Sequence, residues 1–170
     1  MKQDPNGNHD FFIRQAVRED IPLILSFIRE LAQYEKLSHE VTATEEILSE
    51  NLFNRKTAEV IIGESCGIPA GFALFFYNFS TFLGKPGIYI EDLYLRPQAR
   101  RKGYGRLMFA YLARLAVERG CGRLEWWVLD WNEPAIGFYQ SLGAIAMEDW
   151  TVQRISGEAL ESLARAGIRD

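Results

Sequence analysis

The sequence is poor in the residues that build metal or disulfide scaffolds. It holds 2 cysteines and 2 histidines in 170 residues. Cys66 and Cys121 have neither a CxxC partner nor ligand-like spacing, so they read as buried free thiols rather than a bridge. His9 and His39 fall in expected loops, and no metal site is expected. No apolar run approaches the roughly 20 residues that span a bilayer. The opening "MKQDPNGNHD" lacks a signal-peptide shape and reads as a flexible tail over residues 1–10. These absences predict a cytoplasmic protein with no membrane partner. The net charge of -4 lacks the basic excess of a general nucleic-acid binder. Linkers, repeats and low-complexity stretches are missing too.

What is present is an ordinary globular composition, 48% hydrophobic and 25% charged, long enough for one core. "FFIRQA" predicts a first strand. Ile21, Ile24, Leu25, Ile28, Leu31 and Ala32 follow helical spacing, with Pro22 in the first turn. "TATEEILSENLF" predicts a second helix, with Thr42 and Glu45 as a capping box. "TAEVIIGES" and "PAGFALFFYNFS" read as strands joined by a tight turn at Cys66-Gly67. "GIYIEDLYLRP" is a fourth strand whose alternation breaks at Glu91-Asp92.

A helix follows from about Lys102 to Arg119. Arg106, Arg114 and Glu118 make its narrow wet stripe. "GRLEWWVLD" reads as a strand, with Trp126 and Trp127 on opposite faces. "EPAIGFYQSLG" is a helix ended by Gly143. "AIAM" and "DWTVQRI" predict a closing hairpin, and "GEALESLARAG" a last helix. The order describes a mixed sheet with helices on its faces, in one domain over residues 11–166.

The stretch "RPQARRKGYGRLM" gathers positive charge and two glycines at a turn before a helix. A dinucleotide fingerprint would need a third glycine where Met108 stands, and a Walker loop is absent. On these residues alone an ordinary tight turn competes with an anion site. Glycine permits close backbone approach, and a helix N-terminus offers N–H groups and a positive dipole end. That combination suits a diphosphate.

Taken together, Arg100-Arg101-Lys102-Gly103-Tyr104-Gly105 resembles the acetyl-CoA motif of the GNAT superfamily of N-acetyltransferases. "RELAQYEK", "FLGKPGIYIEDLYL", "RRKGYGRLM" and "DWNEPAIGFYQSLGA" resemble, in order, segments of its diamine (spermidine/spermine) and thialysine acetyltransferase subgroup. The resemblance covers Phe11 to Ala164. It implies an α/β (α+β) fold whose mixed, mostly antiparallel sheet is splayed at a β-bulge, with helices on both faces. It implies acetyl-CoA as co-substrate, no metal, a small-molecule amine as acceptor, and a homodimer.

The resemblance also implies roles for residues. The backbone at Leu93, Tyr94 and Leu95 would hold the pantetheine arm. Arg100, Arg101, Lys102, Gly103, Tyr104, Gly105 and Arg106 would hold the pyrophosphate, mainly through backbone. Asn132, Glu133, Pro134 and Ala135 would touch the cofactor from the other side. Tyr139 matches the catalytic tyrosine, a proton donor to the leaving thiolate. Tyr34, Glu35, Glu91 and Asp92 match the amine-binding side, with Glu91 the candidate base acting through water.

Each residue also has a plain reading. Tyr139 sits at helical spacing, where an aromatic is usually core. Glu91-Asp92 can be a solvated strand end, and Tyr34-Glu35 an ordinary helix end. One departure stands out. Members that take long polyamines carry Asp-Pro-Trp where this chain has Ser80-Thr81-Phe82. A lysine-like amine or short diamine is therefore as well suited as a polyamine. The alternatives are an enzyme acting on a protein N-terminus or lysine, a non-catalytic acyl-CoA-binding module, and a general nucleotide-binding domain.

Overall fold

A computed structural model describes residues 11–166. The expected tail over residues 1–10 lies outside them. The chain divides into two compact units, Met1–Leu129 and Asp130–Asp170.

The first unit is built on five strands: β1 (Phe11–Gln15), β2 (Glu59–Ser65), β3 (Ile68–Ser80), β4 (Lys85–Leu95) and β5 (Leu124–Trp126). They lie side by side in chain order. The first four are antiparallel, and β5 runs parallel to β4. The β2–β3 turn is Cys66-Gly67, at φ 51 and 74, which suits a two-residue hairpin turn. That position leaves Cys66 exposed, while Cys121, between α3 and β5, is half-buried; both are free. The expectation of two buried thiols is corrected accordingly, because a turn apex has no second face to cover it.

Helix α1 (Ile21–Tyr34) starts with proline in its first turn and buries Ile21, Ile24, Leu25 and Phe27. Its apolar stripe packs on Val60, Phe72 and Tyr94 of the sheet, with Leu74 beside them. The short α2 (Glu45–Leu48) continues into one π-helical stretch, Ser49–Asn54. Its cap is Thr44, which accepts the Ile47 N–H at 3.3 Å. The expected Thr42–Glu45 box is therefore displaced by two residues, since Thr44 stands nearer the first helical N–H groups.

Helix α3 (Tyr104–Glu118) lies on the opposite face of the sheet and buries Tyr104, Met108, Phe109, Leu112 and Ala116. Tyr104 packs with Ala70, Ala99, Phe11 and Leu95. The wet side of α3 is wider than expected. Ala110, Ala113 and Val117 are exposed alongside Arg106, Arg114 and Glu118, because only one flank meets the sheet.

β3 and β4 carry the feature that shapes the site. Leu74 pairs with Asp92, but Phe75 pairs with Ile90, so Glu91 is an extra residue. A bulge of this kind resets the alternation of its strand. Asp92 and Tyr94 share the α1 face with Leu74 and Phe72. Ile90 shares the other face with Phe75, and in the next strand its partner Trp126 meets Phe109 of α3 edge-on at 4.9 Å. β5 pairs with β4 only over Ile88–Ile90. Beyond Ile90, no described strand flanks β4 on that side.

The second unit holds α4 (Glu133–Gln140) and α5 (Gly157–Arg165). Gly143, at φ 87, follows α4. The expected closing hairpin is not formed: residues 144–156 contain no strand. Alternation in "DWTVQRI" marks residues fit for a strand, but a strand exists only with a partner edge.

Candidate active site

The glycine turn is built by local constraints. Arg96 follows β4, and its N–H donates to the Ala70 carbonyl at 2.9 Å. A short 3₁₀ turn over Pro97–Ala99 comes next. Arg101 then sits at φ 61 and Gly103 at φ 82. Gly103 is the N-cap of α3, so the turn needs a left-handed residue there. An added Cβ at Gly103 would meet nothing within 4 Å. The first turn of any helix aims N–H groups out of its N-terminus. Here Arg101, Lys102 and Arg106 surround that end on the surface. The Tyr104 side chain points into the core, stacking on Phe11 at 4.1 Å and meeting Ser65 at 3.0 Å. Only its backbone faces the turn.

Arg100 behaves differently from its neighbours. Its Nε donates to the Leu95 carbonyl at 2.9 Å. Its guanidinium lies 4.6 Å from the Tyr34 ring centre and 5.5 Å from that of Tyr94. It thereby joins the glycine turn to the end of α1. Nearby, Arg96 and Glu30 form a forked pair with contacts of 2.7 to 3.2 Å. Arg96 also stacks on Phe27 at 4.7 Å. The guanidinium holds the Glu30 carboxyl below the usual range. Glu30 and Arg96 were not foreseen; residues 66 positions apart carry no pairing signal in one sequence.

The bulge assembles the acids. Glu91 is exposed and Asp92 half-buried. Burial, then the charges of Glu91 and Glu35, push the Asp92 carboxyl up to about 7. Burial also raises Glu35, the residue that ends α1. Tyr34, Glu35, Glu91 and Asp92 thus gather where α1 ends over the bulge. A carboxyl titrating near neutrality can exchange a proton at working pH.

In the second unit, Asn132 is the N-cap of α4 and is buried. Its carbonyl accepts the N–H groups of Ala135 and Ile136, both at 3.0 Å. Glu133 and Pro134 open the helix and are exposed. Tyr139, near its end, is half-buried and packs on Phe138 at 5.6 Å.

The sheet is thus opened at a bulge, a left-handed glycine turn precedes α3, and an acid with a raised pKa lies beside the bulge. Comparison with known proteins gives the class. The family model described as acetyltransferase (GNAT) family matches residues 25–144. The chain is 40% identical to a thialysine N-epsilon-acetyltransferase of Mus musculus, covering 89% of this chain and 96% of the relative. It is 32% identical to an L-ornithine N5-acetyltransferase of Arabidopsis thaliana, covering 96% and 92%. Among solved structures, an integron cassette protein from the mobile metagenome of V. cholerae superposes with a TM-score of 0.78. It is 25% identical, and the alignment covers 92% of this chain and 99% of that one.

The chain belongs to the acetyltransferase (GNAT) family. It is an N-acetyltransferase, and acetyl-CoA is the family's co-substrate. No helix among the described residues is long and apolar enough to cross a membrane.

Proposed function

We propose that the protein transfers acetyl from acetyl-CoA to the primary amine of a short diamine or lysine-like molecule. The observation that carries this reading is the half-buried Asp92, raised to about 7 beside Glu91 and Glu35. A cluster of acids attracts an ammonium, and a carboxylate that titrates near neutrality can then take its proton. The thialysine and ornithine relatives support a small amine carrying its own carboxylate.

The roles follow from chemistry. A primary ammonium with pKa near 10.4 must lose its proton before it attacks. The Glu91–Asp92 pair receives that proton, Asp92 directly or Glu91 through water. The neutral nitrogen attacks the thioester carbon, a C–N bond forms, the C–S bond breaks as the oxyanion collapses, and the second proton that the nitrogen then sheds makes good, through solvent, the one given to the thiolate. An N–H of β4 among Leu93–Leu95 stabilises the oxyanion. Tyr139, on its motif match, returns a proton to the thiolate. The turn from Arg100 to Arg106 holds the pyrophosphate, and Asn132 with the residues through Ala135 completes the cofactor contacts. The chemistry calls for no metal. A homodimer belongs to the same reading on the strength of the family resemblance, and a cytoplasmic location with neither nucleic acid nor membrane as partner on that of composition and charge.

The test is an acetylation screen of the purified protein against diamines, lysine analogues, polyamines and peptides. Turnover of short amines supports the reading. Turnover of peptides alone would replace it with protein acetylation, and tight acyl-CoA binding without turnover would leave a binding module.

A further inference from the structure

Past the bulge, the α1 face of the sheet carries three aromatic residues that the reaction as derived does not use. Phe76 and Tyr89 are directly paired across β3 and β4, with ring centres 5.2 Å apart. Tyr89 meets Trp127 edge-on at 5.7 Å. Their face is fixed by alternation. Phe75 and Ile90 share the α3 face, so their neighbours Phe76 and Tyr89 take the other, and Trp127, just past β5, joins them by its ring contact with Tyr89. That is the face of Leu74 and Asp92. The aromatic row therefore continues the surface that holds the acids. Two positions of β3 separate Leu74 from Phe76, roughly 7 Å along the strand. Phe76 and Tyr89 are half-buried, and Trp127 is 57% exposed. Unlike singly scattered surface residues, three rings in mutual contact make one contiguous apolar surface of the kind that lines ligand grooves.

We infer that Phe76, Tyr89 and Trp127 form a subsite for the far end of the amine substrate, an alkyl chain ending in a second ammonium. This rests on the amine acetyltransferase reading and specifies its acceptor. Charge complementarity argues for the occupant. The reacting nitrogen is drawn to Glu35, Glu91 and Asp92; the Phe76–Tyr89 pair lies roughly 7 Å along the strands from the Leu74–Asp92 pair, with Trp127 against Tyr89, within reach of an alkyl chain of four or five carbons. The chain would lie along the rings, and its distal cation would meet the Trp127 indole face, the strongest of the aromatic cation binders. A diamine would be held at both ends, its far cation by ring faces, because the acid beside Tyr89 on this face, Glu125, is already engaged by Asn78 and Arg123. Such a site accepts a range of lengths because a ring face has no fixed hydrogen-bond geometry.

The experiment compares wild type with Trp127→Ala and Trp127→Phe on cadaverine, pentylamine and ethylamine. Calorimetry of cadaverine binding in the presence of CoA runs alongside. Trp127→Ala should lower kcat/KM for cadaverine by about three- to tenfold, pentylamine by less, and ethylamine hardly at all. Trp127→Phe should recover most of the loss, and the KM for acetyl-CoA should not move. Asp92→Asn should impair all three amines. If Trp127→Ala matches wild type while Asp92→Asn loses activity, the subsite is refuted and the acetyl-transfer reading stands. Equal losses for all three amines, or a shifted KM for acetyl-CoA, would make Trp127 structural and also overturn the subsite. If wild type binds cadaverine in a Trp127-dependent way without acetylating it, the subsite stands and the reading falls. If wild type neither binds nor acetylates it, both fall.

Discussion

At the scale of single residues, Asp92 carries the most testable chemistry. Its carboxyl holds a proton up to about 7, whereas an aspartate in the unfolded chain titrates near 3.9. Between those values the folded protein binds more protons than the unfolded one. Stability from this residue therefore falls as pH rises from about 4 to about 7. Asp92→Asn is neutral throughout and removes the dependence. The variant should gain stability over wild type near pH 8, by at most about 4 kcal/mol at about 1.36 kcal/mol per unit. It should gain none near pH 3.5. Chemical denaturation at the two pH values measures this, and equal differences at both would contradict the burial argument. In wild type, kcat/KM for the amine should rise through an inflection near 7 that Asp92→Asn lacks. Tyr139 is a separate matter. Tyr139→Phe removes a hydroxyl and keeps the ring against Phe138, so stability should barely change. General-acid help is typically worth about 10²–10⁴-fold, and kcat should fall within that range. Wild-type kcat with chemistry rate-limiting would return Tyr139 to the plain reading of a core aromatic.

At the scale of elements, the first five strands, the helices and the glycine turn were legible because period and turn chemistry are local, whereas the expected closing hairpin over residues 144–156 found no partner edge. The break at Glu91-Asp92 was legible as a bulge. Its consequence was not: Ile90 and Asp92 have the same parity in sequence yet face opposite sides of the sheet. The register that decides this belongs to β3, whose residues pair across from β4. For the same reason, sequence alone does not rank Glu91, the candidate base through water, against Asp92: the first is exposed and the second half-buried. Which of two adjacent acids is buried depends on the face. The aromatic row of Phe76, Tyr89 and Trp127 also joins residues of β3, of β4 and of the segment after β5, and has no local signal. Two predictions belong here. Deleting Glu91 would restore strict alternation and turn either Ile90 or Asp92 to the wrong side. The deletion should yield insoluble protein or a greatly lowered Tm, and a native-like melting curve would show that the bulge is dispensable. Gly103→Val must hold φ near 82 with a branched side chain, which costs about 1–2 kcal/mol. Nothing lies within 4 Å of the added Cβ, so the fold should survive with a modestly lower Tm. Acetyl-CoA affinity should fall by an order of magnitude or more, as read by calorimetry. Unchanged affinity would place the pyrophosphate elsewhere.

At the scale of the whole molecule, two fields of opposite sign sit on the first unit. Arg101, Lys102 and Arg106 ring the N-terminus of α3, while Glu35, Glu91 and Asp92 line the end of α1. The chain as a whole carries net charge -4. An anionic cofactor and a cationic amine are thus each attracted to a different end of one surface, which keeps them from competing. Attraction between exposed charges is screened over about 30 Å at 0.01 M salt but about 10 Å at 0.1 M. Raising salt through that range should therefore lower kcat/KM for both substrates. For the amine, the effect should scale with its charge: several-fold for cadaverine, less for pentylamine. The net negative charge adds to the local acids for the amine but opposes the basic turn for acetyl-CoA. The cofactor's salt dependence should therefore be shallower per unit charge than the amine's. Because steering acts on encounter and not on chemistry, kcat at saturation should stay constant. Initial rates at low and saturating substrate over a salt series measure all of this. A kcat/KM for cadaverine that is flat in salt would mean that the acids do not act as a long-range field, and that the amine is recognised only after it has docked.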